Sequence, residues 1–293
     1  MMKLTITGYS TALFSTWYFI EELGILFDAG EGLSSALLQK SRKINQVFIS
    51  HADRDHLTGL LQFNQLNARE GLPLIHFPKH SGSFPALEGF SKKFDPHVSG
   101  TVWKPVSEET PVWIKDDMMV EPIVNGHVPI ENGQVKSLSY KVIQVKKKLK
   151  PELVKLGGPE IKKIIEERGE ENTHTEHRKN ILSYSGDTPV EDLQRWDHSG
   201  ILIHEATFLD TGEKQVLHTH GNKHSHLEEV MEMVSGIHIE KLILGHFSSR
   251  YAAELIDRRI KELCDKYAIN IPVFRVLPGE TVKDILSGQP INQ

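Results

Sequence analysis

The chain has 293 residues, of which 39% are hydrophobic, and Cys264 is its single cysteine. This length is enough to bury a sizeable core, as one large domain or two small ones, while the lone cysteine excludes an intrachain disulfide and fits a reducing cytosol. The formal net charge of −5 excludes a general binder of polyanions, so any contact with nucleic acid requires a local basic patch. No apolar run approaches the length of a membrane span, and no signal peptide is expected.

Alternating strands and helices without sequence repeats are predicted along the chain. The predicted strands are 4–6, 25–27, 47–49, 74–77, 119–124, 137–145, 181–185, 201–204, 241–244 and 273–276. The predicted helices are 34–39, 59–68, 83–90, 151–156, 159–168, 190–196, 226–234 and 251–267. Taken alone, this pattern indicates an α/β protein with several polar sites in the loops at strand ends.

The densest polar cluster directly follows the predicted strand 47–49. It contains four potential metal ligands within six residues: His51, Asp53, Asp55 and His56. These side chains converge only if the chain turns sharply off the strand end and wraps around a cation. Mixed imidazole and carboxylate ligands suit zinc, manganese or iron. The alternative is a surface loop that happens to be rich in His and Asp, and the strand-to-loop context argues against it.

This cluster resembles the His-x-His-x-Asp-His signature of the metallo-β-lactamase superfamily, with Asp53 in place of the second His. Further segments resemble motifs of the ribonuclease Z branch and occur in the same order: 27–32, 183–188, 204–208 and 242–251, with His127 shortly after the predicted strand 119–124. The resemblance covers nearly the whole chain. It implies an αββα sandwich, two mixed sheets covered by helices, formed as a single domain by residues 1–293.

The resemblance also implies two divalent metal ions per chain, zinc or manganese. The first ion would be held by His51, Asp53, His127 and Asp187. The second would be held by Asp55, His56, Asp187 and His246, so that Asp187 bridges the two. Asp55 would in addition take a proton from the attacking water, and Glu205 would orient His224, which would protonate the leaving oxygen. A second departure from the family pattern is His226, which stands where the family usually has Thr.

Residues 146–180 are predicted to form an inserted basic arm. Its candidate substrate-binding residues are Lys146, Lys147, Lys148, Lys150, Lys155, Lys162 and Lys163. The segment 150–163 resembles the flexible arm with which ribonuclease Z grips precursor tRNA, and such an arm would neutralise several phosphates. The alternative is a solvated amphipathic hairpin, with four apolar side chains packed beneath it: Leu153, Leu156, Ile161 and Ile164. The acidic run at 166–171 is an unfavourable neighbour for RNA.

Other polar residues are assigned structural roles. His76, His80, His97, His198 and His238 lack a motif and are predicted to be surface or packing residues. His204 is expected to pack the strand end, and Asp28 is expected to brace the ligand loop through hydrogen bonds. A metal site formed by His218, His220 and His226 around His224 is an alternative use of that His-rich tract.

The sequence therefore predicts a cytosolic phosphodiesterase of the ribonuclease Z type that removes the 3′ trailer of precursor tRNA and leaves a 3′-hydroxyl. One alternative is a hydrolase of a small cyclic or nucleotide-derived phosphodiester, which Asp53, His226 and the modest basic content favour. A second is a non-catalytic RNA-binding or scaffold protein, against which the complete ligand set argues. The resemblance further implies a homodimer in which the arm of one subunit serves the active site of the other.

Overall fold

The structure is a computed structural model that describes residues 2–130, 133–210 and 223–293. Two mixed β-sheets form its centre. Neighbouring strands of the first sheet, in sheet order, are β1 (Ile6–Thr11), β2 (Ser15–Ile20), β3 (Ile25–Phe27), β4 (Gln46–Phe48), β5 (Leu74–Pro78) and β6 (Val102–Val106). The strands of the second sheet are, in chain order, β7 (Val112–Lys115), β8 (Met118–Val124), β9 (Leu138–Leu149), β10 (His174–Tyr184), β11 (Ile201–Glu205), β12 (Lys241–Gly245) and β13 (Val273–Arg275).

Each sheet has an antiparallel half and a parallel half. β1 to β3 and β7 to β10 pair antiparallel, whereas β3 to β6 and β10 to β13 pair parallel. The helices are α1 (Leu33–Leu37), α2 (Arg54–Leu57), α3 (Leu60–Asn67), α4 (Ser83–Phe94), α5 (Gly158–Arg168), α6 (Leu227–Ser235) and α7 (Ala253–Lys266). Within the described ranges, no helix combines the length and the apolar character that crossing a bilayer requires.

Apolar side chains fill three layers, one between the sheets and one under the helices on each outer face. Between the sheets, Phe27 of the first stacks on Tyr184 of the second with ring centroids 5.0 Å apart. On the outer face of the first sheet, Phe63 of α3 belongs to a buried cluster, and Val230 of α6 with Ile260 of α7 cover the second sheet. The fold is therefore the predicted αββα sandwich.

The two sheets are also tied together next to the metal-ligand loop that follows β4. The hydroxyl of Tyr140 donates to the carbonyl of Ile49 at 2.6 Å, and the amide of Leu138 donates to the carbonyl of Ser50 at 2.8 Å. Both donors lie on β9 of the opposite sheet. The loop that carries His51 is thus held by contacts from the opposite sheet.

Two element predictions are wrong. The helix predicted over 190–196 is replaced by turns. The backbone carbonyl of Asp192 accepts the Arg195 amide at 3.1 Å, and its carboxylate accepts the Gln194 amide at 3.0 Å. Such side-chain bonds give the backbone an alternative to helical pairing. The segment 151–156 contains only a short 3₁₀ turn, Pro151–Leu153, instead of a helix.

Three strands, β2, β6 and β7, are absent from the sequence prediction. The turn before β2 contains no glycine that would indicate it in the sequence. Leu13 adopts the left-handed conformation in this turn, with φ of 71°. β6 contains Pro105, which the sheet accommodates because β6 is an edge strand. β7 is likewise an edge strand, and its side chains are only partly buried.

The predicted arm is continuous with the second sheet. β9 and β10 run on as a paired two-stranded ribbon up to the Leu149–His174 pair, and α5 lies between them in the chain. Lys146, Lys147 and Lys148 are exposed on this ribbon. The four apolar residues expected beneath the arm, Leu153, Leu156, Ile161 and Ile164, are half-buried.

A close backbone approach positions the ligand loop against the end of β3. The Ala29 amide donates to the His56 carbonyl at 2.8 Å, and the Gly59 amide donates to the Ala29 carbonyl at 2.8 Å. A Cβ atom on Gly59 would overlap the carbonyl oxygens of Ala29 and Gly30. Glycine is therefore required at this contact for steric reasons.

Gly59→Ala is expected to lower the free energy of unfolding by about 1–3 kcal/mol, because the added methyl must push two backbone segments apart. The matched control is Gly89→Ala in α4, where a Cβ meets no atom within 4 Å. That change should raise stability by about 0.5–1 kcal/mol through helix propensity. Urea unfolding of both variants measures the difference, and equal effects would contradict the steric argument.

Candidate metal centre

The candidate ligands meet at the ends of strands from both sheets. His51 follows β4, His127 follows β8, Asp187 follows β10 and His246 directly follows β12. The remaining three, Asp53, Asp55 and His56, lie at the start of α2 or within it. Because parallel strands place their carboxyl ends at the same edge, loops that are distant in sequence converge there.

The carboxylate of Asp187 lies at the middle of the cluster. Its Oδ2 is 3.2 Å from His56 Nε2, 3.3 Å from His246 Nε2 and 3.7 Å from His51 Nε2. Two ligands of one tetrahedral ion, each about 2.0–2.1 Å from it, are about 3.4 Å apart. The separations around Asp187 are therefore those of atoms arranged to share cations.

Asp55 lies on the other side of His56 and His246. Its Oδ2 is 3.5 Å from His56 Nε2 and 3.4 Å from His246 Nε2, and it accepts the Leu13 backbone amide at 3.0 Å. Burial alone would raise the pKa of this carboxyl, but the two imidazoles hold it well below its usual range. Asp55 is thus a fixed carboxylate that faces the centre.

Asp53 is turned toward the centre although 47% of its side chain is exposed. Its Oδ2 lies 3.6 Å from Nε2 of both His51 and His127. Burial raises its pKa, but the combined effect of these two neighbouring imidazoles outweighs burial, so the net pKa is lowered. The residue that departs from the family signature therefore faces two imidazoles of the centre.

The imidazoles are oriented as metal ligands would be. Among the described residues, the Nε2 atoms of His51, His56 and His127 are buried and have no hydrogen-bond partner. The Nδ1 atom of each candidate imidazole is held from behind: His51 by Ser50 Oγ (2.9 Å), His56 by Asp28 Oδ2 (2.7 Å), His127 by the Lys223 carbonyl (2.7 Å) and His246 by Thr207 Oγ1 (2.8 Å). A proton on each Nδ1 leaves the Nε2 lone pair directed at the centre, so the donor set fits bound metal.

The charges of the centre lead to the same conclusion. Burial lowers the pKa of His56 and His246, but the surrounding carboxylates, Asp187 foremost, together outweigh burial and hold the pKa of both above the ordinary value. The pKa of Asp187 is conversely held low by these imidazoles despite its complete burial. Cations would take the place of the protons, because ligand imidazoles bind as neutral bases.

Asp28 forms a buried hub behind the ligand loop, which confirms its predicted bracing role. Its Oδ1 accepts the Ser50 amide at 2.7 Å, and its Oδ2 accepts the Ser50 hydroxyl at 2.8 Å together with His56 Nδ1. The Tyr184 hydroxyl, from the opposite sheet, also donates to Oδ2. One carboxylate thereby fixes His56 directly and His51 through Ser50.

A second carboxylate, Glu205, organises the other side of the centre. Its Oε2 lies 3.2 Å from His224 Nδ1 and accepts the hydroxyl of Thr207, while Thr207 Oγ1 in turn accepts His246 Nδ1. Burial raises the pKa of Glu205, but the neighbouring imidazoles, His224 foremost, together outweigh burial, so the net pKa is lowered. His224, whose side chain is 12% exposed, lies at the rim of the centre beside Asp187.

Known proteins match this chain over most of its length, although no protein-family profile does. It is 30% identical over 277 residues to a chloroplastic tRNase Z of Arabidopsis thaliana, covering 91% of this chain and 73% of the relative. The chain belongs to the ribonuclease Z family. It is also 29% identical over 297 residues to the ribonuclease Z of Methanocaldococcus jannaschii, covering 89% of this chain and 85% of that one.

Solved structures agree with the ribonuclease Z assignment at the level of the fold. The metallo-β-lactamase fold protein YhfI of Bacillus subtilis superposes with a TM-score of 0.64 at 15% identity, over 96% of this chain and 100% of that one. At this identity the likeness supports the sandwich architecture alone.

Three residues, Thr207, Leu13 and Tyr184, make contacts around the centre that the sequence does not reveal. Thr207 links Glu205 to His246, and the Leu13 amide holds Asp55 although they are 42 residues apart. Tyr184 reaches Asp28 across the sheets. Thr207 and Tyr184 lie in the motif segments 204–208 and 183–188, whereas Leu13 lies in none.

The remaining histidines near the centre have structural roles. His204 is buried with its ring edge-on to Trp196, which confirms its packing role. His226 donates through Nδ1 to the Asp210 carbonyl at 2.9 Å and packs on Phe208, just before the first turn of α6. His218 and His220, the other members of the alternative metal site, lie outside the described residues.

Asp28→Asn is expected to weaken zinc binding about 10–100-fold, because an amide group at the hub opposes the Nδ1 protonation that directs His56 Nε2 inward. The matched control is Glu31→Gln, a change of the same type on an exposed residue of the same loop. Competition with a zinc chelator measures both affinities. Unchanged zinc affinity in a folded Asp28→Asn protein would remove the hub from the orientation of the ligands.

Proposed function

We propose that this ribonuclease Z family member is a binuclear metal-dependent phosphodiesterase that removes the 3′ trailer of precursor tRNA. The observation that carries the proposal is the pair of ligand sets sharing Asp187, next to the Glu205–His224 pair at 3.2 Å. The ligand sets supply imidazole nitrogens and carboxylate oxygens for divalent ions. The Glu205–His224 pair supplies a proton donor beside them. Hydrolysis of a phosphodiester whose leaving group is a ribose 3′-oxygen uses both.

Zinc or manganese is the proposed cofactor, with two ions per chain. His51, Asp53, His127 and Asp187 would hold one ion, and Asp55, His56, Asp187 and His246 the other. Bound there, divalent ions act as Lewis acids that stabilise negative charge on the attacking and leaving oxygens. The first set has one imidazole fewer than the usual family pattern, since Asp53 replaces a His.

The residues of the chain itself handle the protons. Asp55, held by the Leu13 amide, is placed to accept a proton from the water that attacks phosphorus. His224 is placed to donate a proton to the 3′-oxygen of the upstream nucleotide as the bond from phosphorus to that oxygen breaks. Glu205 faces His224 Nδ1 and stabilises the charged imidazole, so that the other ring nitrogen is directed toward the rim.

The arm is the proposed contact with the body of the tRNA. Between residues 146 and 180 the chain has ten lysines and arginines against seven acidic residues, in a protein of net charge −5. The ribbon lysines are exposed, and those of α5 pair only loosely within their own helix: Lys162 with Glu166, and Lys163 with Glu167, each at 3.8 Å. Such exposed pairs are weak and are readily exchanged for phosphate.

The alternative substrate is a small phosphodiester, and the modest excess of positive over negative residues in the arm favours it. It uses the same centre and the same proton donors. The two proposals differ only in whether the arm contributes to binding.

Two further proposals accompany the function. A location in the cytosol is favoured by the single cysteine, which is buried and whose thiol pKa burial raises to about 11. A homodimer, in which one arm serves the partner's active site, is proposed from the family resemblance. Light scattering that gave the mass of one chain at assay concentration would contradict the dimer.

His224→Ala is expected to slow cleavage of precursor tRNA by about 10²–10⁴-fold, the usual contribution of a general acid. The loss should shrink for a bis(nitrophenyl) phosphate, whose leaving group needs no proton. Steady-state rates on both substrates measure the effect, with His226→Ala as a control from the same segment. An equal loss on both substrates would exclude the general-acid role.

Asp53→His is expected to shift the metal preference from manganese toward zinc and to lower the alkaline pH optimum. A carboxylate is a harder donor than an imidazole, and its charge reduces the Lewis acidity of the ion. Asp53→Asn separates the loss of charge from the change of ligand. Metal titrations of activity decide the question, and identical preference in all three proteins would mean that Asp53 is not a ligand.

Removing three charges from the arm, Lys155→Ala, Lys162→Ala and Lys163→Ala, is expected to raise KM for precursor tRNA at least tenfold. It should also reduce the slope of log affinity against log salt by about 2–3, because each lysine releases about one counterion. Turnover of a small diester should not change. Lys92→Ala with Lys93→Ala on α4 serves as the surface-charge control.

The same experiment tests the choice of substrate. Precursor tRNA should compete with the small diester in the wild type and compete poorly in the arm variant. If precursor tRNA is neither cleaved nor able to compete in the wild type, the small-diester alternative replaces the proposed function.

A further inference from the structure

A second cluster of metal-binding side chains lies outside the centre described above. It consists of Asp197, His198 and His238, whose ligand atoms all lie within 4.8 Å of one another. Asp197 Oδ2 is 3.4 Å from His198 Nε2, and Asp197 Oδ1 is 3.4 Å from His238 Nδ1. These separations equal the spacing of about 3.4 Å expected for two ligands on a tetrahedral ion. Both imidazoles are predominantly exposed, in agreement with their prediction as surface or packing residues.

The backbone holds the cluster in place without help from an ion. Asp197 Oδ1 accepts the amides of both His198 (2.9 Å) and His238 (2.7 Å), so one carboxylate joins two loops. The His198 amide also donates to the His238 carbonyl at 2.8 Å. His198 adopts a left-handed conformation with φ of 60°, which turns its side chain beside that of His238.

The two imidazoles lie face to face rather than spread into solvent. Their ring centroids are 5.6 Å apart and the ring planes differ by 8°. Both rings lie beside the Asp197 carboxylate, with His198 Nε2 3.4 Å from one of its oxygens and His238 Nδ1 3.4 Å from the other.

The position in the fold separates this cluster from the catalytic centre. His198 and His238 precede β11 and β12, whereas Glu205 and His246 lie at the opposite ends of the same strands. Five residues of strand span about 16 Å. None of the three residues takes part in the ligand sets proposed for catalysis, so an ion here would be an additional one.

We propose that Asp197, His198 and His238 form a further binding site for a divalent transition-metal ion of the zinc class, with solvent completing the coordination. Two imidazoles and a carboxylate are the ligand types that zinc takes in open sites. The ion would crosslink the loops that begin β11 and β12. Its expected effect is on stability rather than on turnover.

The test is a calorimetric titration of holoenzyme, its catalytic centre already filled, with further zinc. The wild type should bind one additional equivalent. His238→Gln and His198→Asn should each weaken that binding at least tenfold, because even indirect ligand support contributes 10–100-fold. Asn is chosen at position 198 because it tolerates the left-handed conformation.

The matched control is His97→Ala, which removes an exposed histidine that has a single carboxylate 4.0 Å away. It should bind the additional equivalent as the wild type does. Zinc should also raise the Tm of the wild type and of this control, and fail to raise the Tm of the two site variants. Small-diester turnover should stay unchanged in all four proteins, which verifies folding independently of the proposed tRNA substrate.

Indistinguishable titrations for the wild type and both site variants would overturn the proposal. The same holds for a loss of the additional equivalent in His97→Ala as large as in His238→Gln, because binding would then reflect scattered surface histidines. A Tm that rises equally with zinc in all proteins would likewise overturn it.

Discussion

The buried carboxylate of Asp28 is the interaction on which the arrangement of the centre depends. An isolated charge at this depth would be strongly unfavourable, and here the Ser50 amide and hydroxyl, His56 Nδ1 and the Tyr184 hydroxyl all donate to it. Since Tyr184 belongs to the opposite sheet, the hydrogen bonds that stabilise the charge also set the spacing between the layers. The ligand loop consequently cannot shift without a cost to the core.

Glu205 plays the corresponding role on the other side of the centre, with a difference that matters for chemistry. Asp28 is fully enclosed and is bonded to Ser50, His56 and Tyr184, whereas Glu205 faces His224 at the rim. A buried carboxylate beside a partly exposed imidazole can stabilise that ring through a cycle of protonation. The two carboxylates thus support different parts of the centre, Asp28 the buried ligand loop and Glu205 the imidazole at the rim.

The sequence was most informative where a short segment contains both the strand and its ligands. The run from Val47 to His56 predicts a strand end and a ligand loop by itself, and the structure places those side chains together. Contacts formed only by tertiary folding, such as the Leu13 amide on Asp55, leave no local pattern. The same limit explains the missed strand β2, whose preceding turn places a leucine where a glycine would ordinarily signal it.

The spread of the ligands along the chain has a consequence for biosynthesis. His51 and His246 are separated by almost two hundred residues and lie on different sheets, so neither half of the polypeptide contains a complete site. A growing chain that has folded its first sheet on the ribosome still lacks Asp187 and His246. The complete set of candidate ligands is therefore assembled late in synthesis, and a truncated translation product lacks it.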